Sequence, residues 1–130
     1  MSEHSLLIVD DEAIVRESIR DWLQESGYNV ATAENGEEAL KIIEAQDFSI
    51  LVVDERLPGK TGIRILKEIK ALKPQIKFIV ITAYPSIESA VEAMKLGAID
   101  YLIKPIAPDQ LEKLIRDTLL TCDSEELSGL

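Results

Sequence analysis

Ile50-Leu51-Val52-Val53-Asp54 is a run of four aliphatic residues that ends on a carboxylate. A short, uninterrupted apolar run reads as a strand covered on both faces, as in a parallel sheet enclosed by helices. Working outward, the pattern repeats at Leu6-Leu7-Ile8-Val9 and at Phe78-Ile79-Val80-Ile81, with further strands predicted over 28–32 and 101–103. Helical spacing fills the gaps. Ile14, Val15, Ile19, Trp22 and Leu23 form a first apolar stripe, ended by Gly27, and Ala39, Leu40, Ile42 and Ile43 form a second within 37–45. Further helices are predicted over about 63–72, over 87–96 with Gly97 as its stop, and from 108 to about 121, with Leu111, Leu114, Ile115 and Leu119 inward. Five strands alternating with five helices predict an α/β fold, a parallel sheet with helices on both faces. The connections leave no room for a second domain. Residues 1–122 read as one domain and 123–130, where the apolar period is lost, as a tail or the start of a linker.

The composition narrows the function. The 130 residues carry 24 Asp plus Glu against 14 Lys plus Arg, a net charge of −10. Such a balance argues against direct nucleic-acid binding, which leans on clustered Lys and Arg. It suits a basic partner, or carboxylates gathered round a cation. A single cysteine, Cys122, excludes an internal disulfide, suits a reducing compartment and reads as a small apolar residue. No signal peptide or membrane-length apolar run is visible, so a cytoplasmic location is expected.

Ligands of an open parallel sheet sit beyond the carboxyl ends of its strands. Those ends carry Asp10-Asp11, Asp54, Thr82-Ala83 and Lys104-Pro105. Three carboxylates gathered unpaired would repel one another, which a hard divalent cation such as Mg²⁺ relieves. Lys104 and Thr82 add two donors for an anion. A nucleophile, a metal clamp and two anion donors are the parts that phosphoryl transfer requires. Taken singly, Asp10 and Asp11 also suit a helix cap, Asp54 a turn, and Lys104 a solvated loop. Trp22 and Met94 sit at core spacing, and no role is assigned to His4.

These residues, with Leu57-Pro58-Gly59 and Gly62, resemble the receiver domain of two-component response regulators from about Ser5 to Thr121. The resemblance implies a flavodoxin-like (CheY-like) sheet of order 2-1-3-4-5. It implies that Asp54 takes a phosphoryl group from the phosphohistidine of a sensor histidine kinase. Asp11, Asp54 and the backbone carbonyl of Arg56 would ligate Mg²⁺, with Asp10 acting mainly through water. Lys104 would contact the phosphoryl group, Thr82 would move toward it, and Tyr101 would turn inward as the switch aromatic. The surface of helix 4, strand 5 and helix 5 would carry the signal. The Lys104-Pro105 bond is commonly cis in the family.

The stretch from Ile81 to Pro105 is similar to NtrC-type regulators, whose receivers precede an AAA+ ATPase domain that engages sigma-54 RNA polymerase. A longer regulator is therefore expected ahead of a stand-alone one, with a second receiver as a further possible partner. Pro85 departs from the Gly common there and would stiffen the loop after Thr82. Three rivals fit less well. A Mg²⁺-dependent phosphatase would carry a second acid two positions after the nucleophile, where this chain has Arg56, and a flavodoxin-like cofactor binder would carry a phosphate loop after its first strand, where Asp10-Asp11-Glu12 would repel a phosphate. A degenerate receiver would lack a member of the set.

Overall fold

The structure is a computed structural model that describes residues 4–59 and 61–128, with side chains described through residue 121. The strands are β1 (Ser5–Val9), β2 (Asn29–Ala33), β3 (Ile50–Asp54), β4 (Lys77–Thr82) and β5 (Asp100–Ile103). They alternate with α1 (Ala13–Glu25), α2 (Gly36–Ala45), α3 (Gly62–Leu72), α4 (Ile87–Lys95) and α5 (Pro108–Ser128). All strand pairs are parallel, in the order β2-β1-β3-β4-β5. The order reverses between β1 and β3, which leaves a crevice at their carboxyl ends.

Because successive side chains of a strand point to opposite faces, the aliphatic runs build two cores. Leu7, Val9, Leu51, Val53, Phe78 and Val80 pack against α2 and α3. Leu6, Ile8, Ile50, Val52, Ile79 and Ile81 pack against α1 and α5 through Ile19, Leu23, Leu111, Ile115 and Leu119. The central strands β1, β3 and β4 are thus apolar between their ends for want of a wet face.

Two residues expected inward lie outward. Ile14 is 82% exposed, about 140° round α1 from Ile19 at helical spacing, so it faces away from the sheet. Met94 lies on the open face of α4 with Ile87 and Val91, while Ala93 is the residue that α4 buries. Trp22 packs against the core as expected. His4 is not idle, since its Nδ1 lies 2.8 Å from Ser49 Oγ. The helix expected to end near Thr121 runs to Ser128, for no Gly or Pro interrupts it between 109 and 128. Of the segment read as a tail, residues 123–128 are thus helical in their backbone. The side chain of Cys122 lies outside the described residues. Among the described residues no helix is long and apolar enough to cross a membrane.

Candidate functional site

The carboxyl ends of β1, β3 and β5 bring together one cation and three carboxylates. Lys104 Nζ lies 2.7 Å from Asp54 Oδ2, 2.9 Å from Asp10 Oδ2 and 2.9 Å from Glu12 Oε1. Asp10, Asp54 and the lysine side chain are nearly withdrawn from solvent, while the Glu12 side chain is 59% exposed. Backbone amides fix the second oxygens. Glu12 N–H donates to Asp10 Oδ1 at 2.9 Å, and Arg56 N–H donates to Asp54 Oδ1 at 2.8 Å. The Lys104-Pro105 peptide bond is cis.

The electrostatics follow from this burial. Desolvation is the largest influence on Asp10 and pushes its carboxyl up to about 6, with Asp54 adding to the rise and the Glu12 amide and Lys104 opposing it. Burial pulls Lys104 down, but its bonds to Asp54, Asp10 and Glu12 outweigh this and hold the ammonium above its ordinary range. Asp10 Oδ2 lies at ion-pair distance from Lys104 yet receives no well-directed hydrogen bond, which leaves a buried oxygen underprovided.

That orphaned oxygen suits a hard cation. Carboxylate oxygens of Asp10, Asp11, Glu12 and Asp54 lie within 4.8 Å of one another. An all-oxygen set with an underused buried ligand fits a divalent ion of the Mg²⁺ or Ca²⁺ kind. Asp10 does not serve as a helix cap: the N-cap of α1 is Glu12, which makes no side-chain cap bond.

Strand alternation turns the next residue of each segment to the α3–α4 side. There Glu55 is buried, and its carboxylate accepts from the Tyr101 hydroxyl at 3.3–3.4 Å. The same hydroxyl accepts from Ser86 N–H at 3.4 Å, at the N-cap of α4. Thr82 is fully buried at the end of β4, and its Oγ1 accepts from Tyr84 N–H at 2.9 Å. The Arg56 guanidinium stacks 4.5 Å over the Tyr84 ring. A groove of about 1120 Å³ opens here between α3 and α4.

Gly62 makes the joint between the two sides. Its N–H donates to Glu55 O at 2.6 Å, and a Cβ at this position would collide with Asp54 O and sit 2.9 Å from Glu55 Cα. Only glycine lets the start of α3 approach the backbone of the phosphoacceptor candidate so closely.

Asp10, Asp11, Asp54 and Lys104 therefore meet as expected, while Thr82 and Tyr101 stand on the adjoining side with Glu55. The Arg56 backbone is held beside Asp54 by its amide and by a bridge to Thr61. Sequence reading missed Glu12 and Glu55. The adjacency of Glu12 to Asp10-Asp11 was the available signal for the first, and a carboxylate directly after a buried strand was the signal for the second.

Comparison with known proteins agrees with this geometry. Residues 6–116 match the response regulator receiver domain. The transcriptional regulatory protein ZraR of Escherichia coli K12 is 44% identical over 118 residues, covering 88% of this chain and 26% of that protein. This chain spans about a quarter of the length of such curated relatives. A CheY-like receiver domain protein from Methanospirillum hungatei superposes with a TM-score of 0.91 at 33% identity, covering 95% of this chain and 99% of that one. A response regulator from Burkholderia pseudomallei, solved with a phosphorylated aspartic acid, calcium ion and citrate, superposes at 0.82 with 31% identity, covering 95% and 73%. With its strand order, its rim of carboxylates and its lysine all accounted for, the chain belongs to the response regulator receiver domain family.

Proposed function

We propose that Asp54 is the phosphoacceptor, taking a phosphoryl group from the phosphohistidine of a sensor histidine kinase. One observation carries this reading: Asp54 ends a buried strand with its carboxylate held between Lys104 and the Arg56 amide. Those two donors orient the carboxylate for attack. As the P–O bond to Asp54 forms, the donor's P–N bond breaks and its electron pair returns to the imidazole nitrogen. Lys104 then stabilises a phosphoryl oxygen, and the Thr82 hydroxyl, whose oxygen accepts from Tyr84 N–H, turns its own O–H to donate to a second phosphoryl oxygen.

Asp10, Asp11, Asp54 and the backbone carbonyl of Arg56 would hold Mg²⁺, with Asp10 acting mainly through water. Mg²⁺ when bound offsets the negative charge that gathers on the phosphoryl oxygens. The chain assists its own phosphorylation and dephosphorylation and is not otherwise an enzyme.

Thr82 and Tyr101 form the switch that carries the change to α4, β5 and α5. The Tyr101–Ser86 bond supports this, since it ties β5 to the first turn of α4. Ile87, Val91, Met94 and Ile103 expose an apolar face there that suits a partner. In a longer regulator of the NtrC type that partner is an AAA+ ATPase domain controlling sigma-54-dependent transcription, or a second receiver. Residues 1–122 form the receiver domain, and 123–130, into which α5 continues as far as Ser128, form a tail or the start of a linker. The protein acts in the cytoplasm, with no membrane and no direct nucleic-acid contact. Backbone amide shifts with and without beryllofluoride and Mg²⁺ test the route. Changes over residues 84–105 are expected, and their absence would refute it.

A further inference from the structure

Lys104 is already engaged on the side from which a phosphoryl group must arrive. Its two well-directed bonds go to Asp54 Oδ2 and Glu12 Oε1, at 2.7 and 2.9 Å, and Asp10 occupies the buried side at 2.9 Å. An ammonium has three N–H donors and no more. Carboxylate oxygens of Asp54, Asp10 and Glu12 already crowd this ammonium at 2.7, 2.9 and 2.9 Å, so a phosphoryl oxygen on Asp54 that approaches Lys104 competes with a carboxylate in place there.

The three carboxylates are unequal. Asp10 and Asp54 sit at strand ends, each with its other oxygen bound to a backbone amide, and both are buried. The Glu12 side chain is 59% exposed at the start of α1. Water can replace the lysine at Glu12 at little cost, whereas the buried carboxylates would lose a cation that nothing replaces.

We propose that Glu12 is the placeholder of the resting site: its carboxylate occupies the Lys104 donor that a phosphoryl oxygen takes, and swings to solvent when Asp54 is phosphorylated. This rests on the reading of Asp54 as phosphoacceptor. One anion replaces another at one donor, and no covalent bond beyond the phosphoryl transfer is involved. Glu12 acts as a positioning residue. It holds Lys104 extended over the site and competes with the incoming group, which sets how readily the site accepts an anion.

Beryllofluoride binding in the presence of Mg²⁺, followed by amide shifts of the whole chain, tests this. Glu12→Ala should bind beryllofluoride about two- to fivefold more tightly than the parent chain, the range of a half-exposed ion pair. Glu12→Gln keeps a neutral acceptor and should fall between. Neither should bind Mg²⁺ alone more tightly. Glu34→Gln removes an equal charge after β2, where Glu34 makes no ion pair among the described residues, and should leave beryllofluoride affinity unchanged. An unaltered or weaker affinity in Glu12→Ala overturns the exchange, as does an equal gain in Glu34→Gln, which would reduce the effect to net charge. If the parent chain binds no beryllofluoride, or Asp54→Asn binds it equally, the phosphoacceptor reading falls and the exchange with it. Binding by the parent chain with no gain on removing Glu12 sinks the exchange alone.

Discussion

Replacing Asp10 by asparagine removes a negative charge from a cluster that is buried with too few donors. The carboxyl of Asp10 is raised from 3.8 to about 6, chiefly by desolvation. The folded chain thus holds this proton more tightly than the unfolded chain does. Between pH 3.8 and about 6 the folded form binds more protons, so its stability falls as pH rises through that window. Above the window the whole cost is carried, and below it none is. At about 1.4 kcal/mol per pH unit, the burden reaches about 3 kcal/mol at neutral pH. The uncharged amide of the variant would carry no such desolvation burden; its oxygen would still accept the Glu12 N–H, and Lys104 would turn from the amide nitrogen to its remaining partners Asp54 and Glu12. Asp10→Asn should therefore stabilise the metal-free chain by about 1–3 kcal/mol at pH 7.5, a gain that fades toward zero near pH 4. Urea unfolding in EDTA at the two pH values reads this directly. Saturating Mg²⁺ should stabilise the parent chain by offsetting the same charge and should add less to the variant. Loss of stability in the variant at pH 7.5, or an equal gain at pH 4, would refute the reasoning.

Lys104→Met tests the opposite arm of the cluster. It leaves Asp10 and Asp54 buried without their cation and should cost about 3–5 kcal/mol at pH 7.5, with part recovered near pH 4 as carboxyls protonate; a pH-independent loss in urea unfolding would contradict this. Gly62→Ala places a methyl group against the Asp54 and Glu55 backbone and should cost about 3 kcal/mol. An unchanged urea midpoint would show that the close approach is not required.

What the sequence disclosed, and what it withheld, follows from where each signal arises. β3 and Asp54 were legible because a strand enclosed on both faces must be apolar until it reaches the rim, and the first carboxylate marks that rim. Lys104 was legible for the same reason after β5. Glu12 and Glu55 were not, because the chain holds 24 acidic residues and local geometry selects among them. The turn in which Glu12 N–H meets Asp10 Oδ1 brings Glu12 toward Lys104, and strand alternation sends Glu55 to Tyr101 instead. Helical period identified α1 and α4 but not which side of each stripe meets the sheet. Ile14 and Met94 therefore read as inward until packing placed them outside.

Covalent trapping of the phosphorylated residue tests the central claim most directly. The chain is incubated with acetyl phosphate and Mg²⁺, reduced with borohydride, digested and sequenced by tandem mass spectrometry. An aspartyl phosphate reduced in this way becomes homoserine. Homoserine is expected at position 54, dependent on Mg²⁺ and absent from Asp54→Asn. Homoserine in place of Asp10 or Asp11 instead, or an unmodified Asp54 after full exposure to the phosphoryl donor, would contradict it.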